Sequence, residues 1–142
     1  VMRATDSAFP SSPCRVITFG TFDVLHLGHL RLLERASRLG DELIVGVSTD
    51  ALNYSKKHRY PIYGEKDRAT LIAGIRCVSE VFMEESLDLK RDYIVRHRAD
   101  VLVMGDDWQG RFDFCRDLCE VVYLARTPSI STTEIIEVIR KG

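Results

Sequence analysis

An α/β fold built on a parallel sheet is predicted by three observations. Short β-branched apolar runs alternate along the chain with segments of helical period, the pattern of βαβ units. The runs are apolar throughout rather than every second residue, as strands covered on both faces must be. The polar motifs follow the carboxyl ends of three of these strands, where open parallel sheets bind ligands.

The first strand is "CRVITFG" (14–20), followed by a helix over Leu27–Leu39. The second is "ELIVGVST" (42–49), and after it "DALNYSKKHRYPIYG" (50–64) reads as a long polar, basic loop. Connections of that length are functional or mobile more often than incidental. A helix over Gly64–Arg76 leads to a weaker strand, "VSEVFM" (78–83), and a helix over Leu87–His97 leads to "DVLVMG" (100–105). The last strand is "CEVVYLA" (119–125). A final helix, Ser131–Lys141, opens on "STTE", with Ser131 as N-cap and Glu134 as its reciprocal partner. The opening "VMRATDSAFPSSP" (1–13) has no periodicity and reads as a flexible tail or linker, leaving 14–142 as one domain.

Composition excludes several classes. At 142 residues, 45% apolar and 29% charged, the chain can bury one core without disulfide staples. A net charge of -1 argues against wrapping nucleic acid, which calls for a basic excess. No apolar run approaches membrane-spanning length, and no stretch reads as a signal peptide. Cys14, Cys77, Cys115 and Cys119 are scattered; the Cys115/Cys119 pair lacks the partner ligands of a zinc site. They read as buried thiols of a cytoplasmic protein.

The chemistry concentrates in "HLGH". Residues i and i+3 of a helix share a face, so His26 and His29 can point at one ligand. Gly28 between them keeps the surface low. A helix start also offers unpaired N–H groups and a positive dipole end, a natural anion site. Imidazoles placed there can donate to phosphoryl oxygens. Two other readings stay open on the residues alone: a metal pair, although zincins space their histidines i, i+4, and a pair of helix caps.

"GTFDVLHLGH" resembles the signature of the nucleotidylyltransferase superfamily. Within it, "ITFGTFD", "LLERASRLGDELIVGVSTD", "VMGDDWQGRFDF" and "CEVVYLARTPSISTTEI" together resemble the glycerol-3-phosphate cytidylyltransferase family, over residues 14 to about 140. The resemblance implies a Rossmann-like sheet of five parallel strands in the order 3-2-1-4-5, with helices on both faces. It implies transfer of CMP from CTP to an alcohol phosphate, glycerol 3-phosphate first and choline, ethanolamine or ribitol phosphate as alternatives. Mg2+ would accompany the triphosphate, with no metal held by side chains, and the protein would be a homodimer. An adenylyltransferase and a non-catalytic nucleotide-binding module are the remaining alternatives.

Roles carry over from the family to matching positions. His26 and His29 would contact the triphosphate as catalytic groups, with Lys56 and Arg126. Thr21, Phe22, Asp23 and Gly28 would adjoin the nucleotide. Arg126, Thr127, Ser131, Thr132 and Thr133 would grip its phosphates, and Arg76 and Asp106 would join the nucleotide site. Lys56, Lys90, Asp107 and Trp108 would form the acceptor side. Lys57, Arg59, Lys66 and Arg68 read instead as solvated surface groups. Three residues depart from the family pattern: His58 replaces a lysine, and Pro128 and Ser129 replace an acidic residue and a glycine.

Overall fold

The five apolar runs become five parallel strands: β1 (Arg15–Gly20), β2 (Glu42–Ser48), β3 (Glu80–Glu84), β4 (Val101–Gly105) and β5 (Glu120–Leu124). The computed structural model describes residues 12–126 and 131–141. The strands lie in the order β3-β2-β1-β4-β5, as the family resemblance implies. Helices α1 (Leu27–Ser37), α2 (Asp50–Lys57), α3 (Glu65–Ala73), α4 (Lys90–Arg96) and α5 (Thr132–Lys141) intervene or follow.

Two cores explain the unbroken apolar strands. Val16, Leu43, Val45, Val47, Val101 and Val103 point to one face, where Leu33 and Ala36 of α1 and Ile72 of α3 cover them. Ile17, Phe19, Ile44, Leu102 and Met104 point to the other, against Tyr93 and Ile94 of α4 and the segment holding Phe112 and Cys115. Alternate side chains along a strand face opposite ways, so both sets must be apolar. Burial also drives the Cys119 thiol up to about 11, with the neighbouring Cys115 adding to the effect, so this thiol is chemically quiet at neutral pH.

The segment after β2 is not wholly loop, because residues 50–57 form α2. Thr49 caps it, accepting from the Leu52 N–H at 3.1 Å, Asp50 stands in its first turn and Lys56 and Lys57 in its last. Those charges suit the helix dipole at each end. His58 closes the helix in the left-handed conformation, φ 56°, its N–H donating to the Tyr54 carbonyl. The residue that departs from the family pattern is thus the helix stop. The predicted capping of α5 is present: the Ser131 N–H donates to the Glu134 carboxylate and the Glu134 N–H to Ser131 Oγ, both at 3.2 Å.

Because β1 pairs with both β2 and β4, the chain runs outward from it in opposite directions. The crevice beyond β1 and β4 is the switch point of the sheet.

Candidate active site

The turn leaving β1 is held in an unusual shape. Phe22 (φ 54°) and Val24 (φ 47°) both adopt left-handed backbone without being glycine. Such residues cost of order 1–3 kcal/mol each and gather at functional sites. Gly20 is required beneath them, since a Cβ there would lie 2.9 Å from the Phe22 ring. Phe22 is buried and meets the His29 ring edge-on, with centroids 5.5 Å apart.

The two histidines form a reciprocal cap at the start of α1. The Gly28 N–H donates to His26 Nδ1 at 3.0 Å, and the His26 N–H donates to His29 Nδ1 at 3.2 Å. An imidazole nitrogen that accepts cannot carry a proton, so each neutral ring bears its hydrogen on Nε2. Both Nε2 atoms face one oxygen, Thr132 Oγ1 of α5, at 3.1 Å from His26 and 3.5 Å from His29. That hydroxyl in turn donates to the Asp23 carbonyl at 3.0 Å. The cap reading and the ligand reading are therefore compatible: capping by Nδ1 frees and orients Nε2.

Electrostatics keep the pair uncharged. Burial, then the neighbouring His26, lowers His29 to about 4, against a smaller upward pull from Asp23. Burial and the Arg126 guanidinium also lower His26.

Two residues lock the surrounding loops. The Asp23 carboxylate accepts from the Val24, Ile62 and Tyr63 N–H groups at 3.0, 2.7 and 2.9 Å. It thereby ties the strap after α2 to the histidine turn. Arg68 of α3, expected as a solvated surface group, is instead fully buried. Its guanidinium donates to the Thr21, Ser48 and Tyr63 carbonyls and to Asp50 Oδ1, at 2.7–2.9 Å. No periodic signal marks it, because its partners are backbone carbonyls of two loops and of the end of β2, and the Asp50 carboxylate, rather than apolar side chains.

Two cavities meet at His29, Thr132 and Thr133. The first, about 420 Å3, is also lined by Thr21, Phe22, Asp23, Asp107 and Trp108. The second, about 380 Å3, is also lined by His26, Gly28, Asp107, Arg126 and Ser131. The structure thus brings most of the expected residues together. Tyr60 and Arg140 join them in the first cavity and Arg35 in the second, although no motif named them; Lys57 and Arg59, expected as solvated surface groups, are exposed but also line this crevice, Lys57 in both cavities and Arg59 in the first.

Others stand apart. Arg76 is exposed between α3 and β3, at the amino edge of the sheet and far from this crevice. Lys90 is buried, its ammonium paired with Glu84 and lying 3.7 Å from the centre of the Phe19 ring. Lys56 and Asp106 are exposed and line neither cavity. Thr127, Pro128 and Ser129 lie outside the described residues. Among the described residues no cluster of three His, Cys, Asp or Glu could hold a metal ion, and no helix is long and apolar enough to cross a membrane.

Comparison with known proteins agrees with this geometry. The pattern of the family described as cytidylyltransferase-like matches residues 17–138. A glycerol-3-phosphate cytidylyltransferase of Bacillus subtilis (strain 168) is 53% identical over 126 residues, which cover 88% of this chain and 96% of the relative. Its namesake from Staphylococcus aureus (strain NCTC 8325 / PS 47) is 49% identical over 121 residues, 85% of this chain and 91% of that one. Among solved structures, a lipopolysaccharide core biosynthesis protein of Thermoplasma volcanium GSS1 superimposes with a TM-score of 0.74 at 25% identity, covering 82% of this chain and 99% of its own.

Proposed function

The chain belongs to the cytidylyltransferase-like family, and on that premise we propose that it transfers CMP from CTP to glycerol 3-phosphate, forming CDP-glycerol and pyrophosphate. The observation that carries the proposal is the convergence of the His26 and His29 Nε2–H donors on one point where the two cavities meet. That support comes with relatives of the same activity in two organisms, each covered over more than nine-tenths of its length.

In the reaction, an oxygen of the acceptor phosphate attacks the α-phosphorus of CTP. The new P–O bond forms as the bond to the bridging oxygen breaks, and the electron pair leaves on pyrophosphate. The nucleophile is already an anion, so no base is needed. Catalysis consists of alignment and of donors placed where negative charge builds. Neutral, Nε2-protonated histidines meet that need: they donate from Nε2 without first taking up a proton from solvent. A phosphoryl oxygen takes the place that Thr132 Oγ1 fills now.

Arg126, Thr127, Ser131, Thr132 and Thr133 would hold the remaining phosphates, helped by the open N–H groups at the start of α5. Thr21, Phe22, Asp23 and Gly28 would adjoin the nucleotide from the histidine turn, with Asp107 and Trp108 lining the cavity from the turn after β4 and Asp106 at its margin. Lys57 at the end of α2 and Arg59 of the strap would face the acceptor, with Lys56 and Lys90 adding positive charge behind them. Mg2+ enters with the triphosphate as part of the substrate, and the reaction belongs in the cytoplasm, where that substrate is. A homodimer completes the proposal.

The test is pyrophosphate release with CTP or ATP against a panel of alcohol phosphates. Turnover with CTP and glycerol 3-phosphate above all other pairs is expected. Preference for ATP, or for another acceptor, overturns the assignment.

A further inference from the structure

Beside the first cavity, a buried carboxylate pairs with one cation and its backbone anchors the helix that carries a second. Glu84 ends β3 at the carboxyl edge of the sheet, and Lys90 opens α4; their side chains are 3% and 2% exposed and directly paired. The Lys90 ammonium covers the face of Phe19 at 3.7 Å and lies 5.2 Å from the Phe112 ring. Phe19 itself lines the cavity. The backbone carbonyl of Glu84 accepts the Thr49 N–H at 3.0 Å, and Thr49 caps α2, the helix that ends in Lys56. One residue thus holds Lys90 by its side chain and anchors the helix of Lys56 by its backbone.

We propose that Glu84 is a positioning residue for the acceptor: its carboxylate fixes the Lys90 ammonium over Phe19, behind the wall of the first cavity, and its backbone carbonyl anchors the helix that carries Lys56 and the cavity-lining Lys57. The inference rests on the functional reading above, which requires a phosphate monoester beside the nucleotide. Two lysines and one carboxylate leave an excess of one positive charge, which offsets half the charge of a phosphate dianion. A buried ion pair stabilises a fold little more than apolar residues of the same size would. Its position next to an anion cavity is what a binding role requires.

The groups facing Lys90 set its charge. Burial pulls its pKa down and Glu84 is the main opposing influence; Lys56 from α2 pulls it further down, and Cys115 from the turn at 113–115 pulls weakly upward. Lys56, though its surface is exposed, is also lowered by partial desolvation and supported by the Glu84 charge. Without the carboxylate both amines lose their protons at a lower pH.

The experiment measures KM for glycerol 3-phosphate and for CTP across pH in wild type and Glu84→Gln, which keeps a hydrogen-bond acceptor but not the charge. The alkaline limb for the acceptor is expected to move toward neutral pH. At the alkaline end of the range the acceptor KM should rise about tenfold, while the CTP KM stays within about twofold. An unchanged acceptor profile, or an equal effect on CTP, overturns the role of Glu84. The double variant Glu84→Gln/Lys90→Met leaves no unpaired buried charge and serves if the single one does not fold. Its acceptor KM should be raised at every pH, and a wild-type value overturns the proposal. A wild type that releases no pyrophosphate with CTP and glycerol 3-phosphate overturns the functional reading, and this one with it.

Discussion

His26 and His29 stack with ring centroids 3.8 Å apart, each turning its Nε2 toward the Thr132 hydroxyl. Burial disfavours charge on either ring, and their orientation is set by the N–H groups that each Nδ1 accepts at the start of α1. Capping and ligand binding use opposite nitrogens of the same rings.

Those two uses separate by mutation. Asn is a good N-cap, so His26→Asn should keep stability within about 0.5 kcal/mol while His26→Ala loses about 1 kcal/mol. Both lose the Nε2 donor, and turnover should fall roughly 100- to 1,000-fold in each. His29→Ala should lose turnover to the same degree. Urea unfolding and initial rates measure the two effects; near-wild-type turnover in His26→Asn would refute the donor role.

The lowered pKa of His29 makes stability depend on pH. Unfolded, the ring takes a proton near its ordinary value of 6.5; folded, only near 4. Between these values the unfolded state binds more protons, so stability is full above the unfolded pKa and falls as pH drops toward 4. The loss approaches roughly 3 kcal/mol. His29→Gln removes the titration, so the difference between its unfolding free energy and that of wild type should vary over this window. A constant difference from pH 7 to pH 4 would show that the folded ring titrates normally.

What the sequence made legible follows from which residues face the sheet. Strands announce themselves because both faces are apolar, as Val16 and Ile17 illustrate. The histidine turn and the start of α5 are legible because capping requires particular residues at fixed spacing, as at Ser131 and Glu134. Helix α2 is hidden, since of its eight residues only Leu52 and Asn53 are buried and Asn53 is polar. Its caps, Thr49 and the paired lysines, were the available signal. Arg68 is hidden for a different reason: its partners are backbone carbonyls, which carry no side-chain signature. Lys57 and Arg59 reach the cavity because the left-handed His58 turns the chain between them, a conformation the sequence does not mark with glycine or asparagine.

Arg68 is expected to be irreplaceable by lysine. Its planar fork reaches carbonyls on three segments and the Asp50 carboxylate at once. A lysine ammonium is a compact charge that cannot span them. Arg68→Met should cost roughly 3–5 kcal/mol by leaving buried acceptors unmet and Asp50 without its cation. Arg68→Lys should recover less than about half of that loss. Denaturant unfolding of the three proteins checks the ranking, and full rescue by lysine would show that charge alone matters.

Asp23 supplies the sharpest test of how the strap meets the turn. Its two oxygens accept three N–H groups, and Oδ2 serves Ile62 alone. In Asp23→Asn an amide NH2 replaces one of those oxygens, so one donor must lose its acceptor. A hydrogen bond to a charged group contributes about 1.5–3 kcal/mol, so exchange of the Ile62 or Tyr63 amide should quicken about tenfold or more. Tyr60, Pro61 and Ile62 line the first cavity, so the loosened strap should also raise the KM for CTP. Loss of the negative charge acts the other way, drawing the triphosphate in. Measuring both quantities separates the effects: faster exchange with a higher KM means that tethering prevails, and faster exchange with a lower KM means that charge does. Unaltered exchange at both amides would mean that the strap holds its place without Asp23.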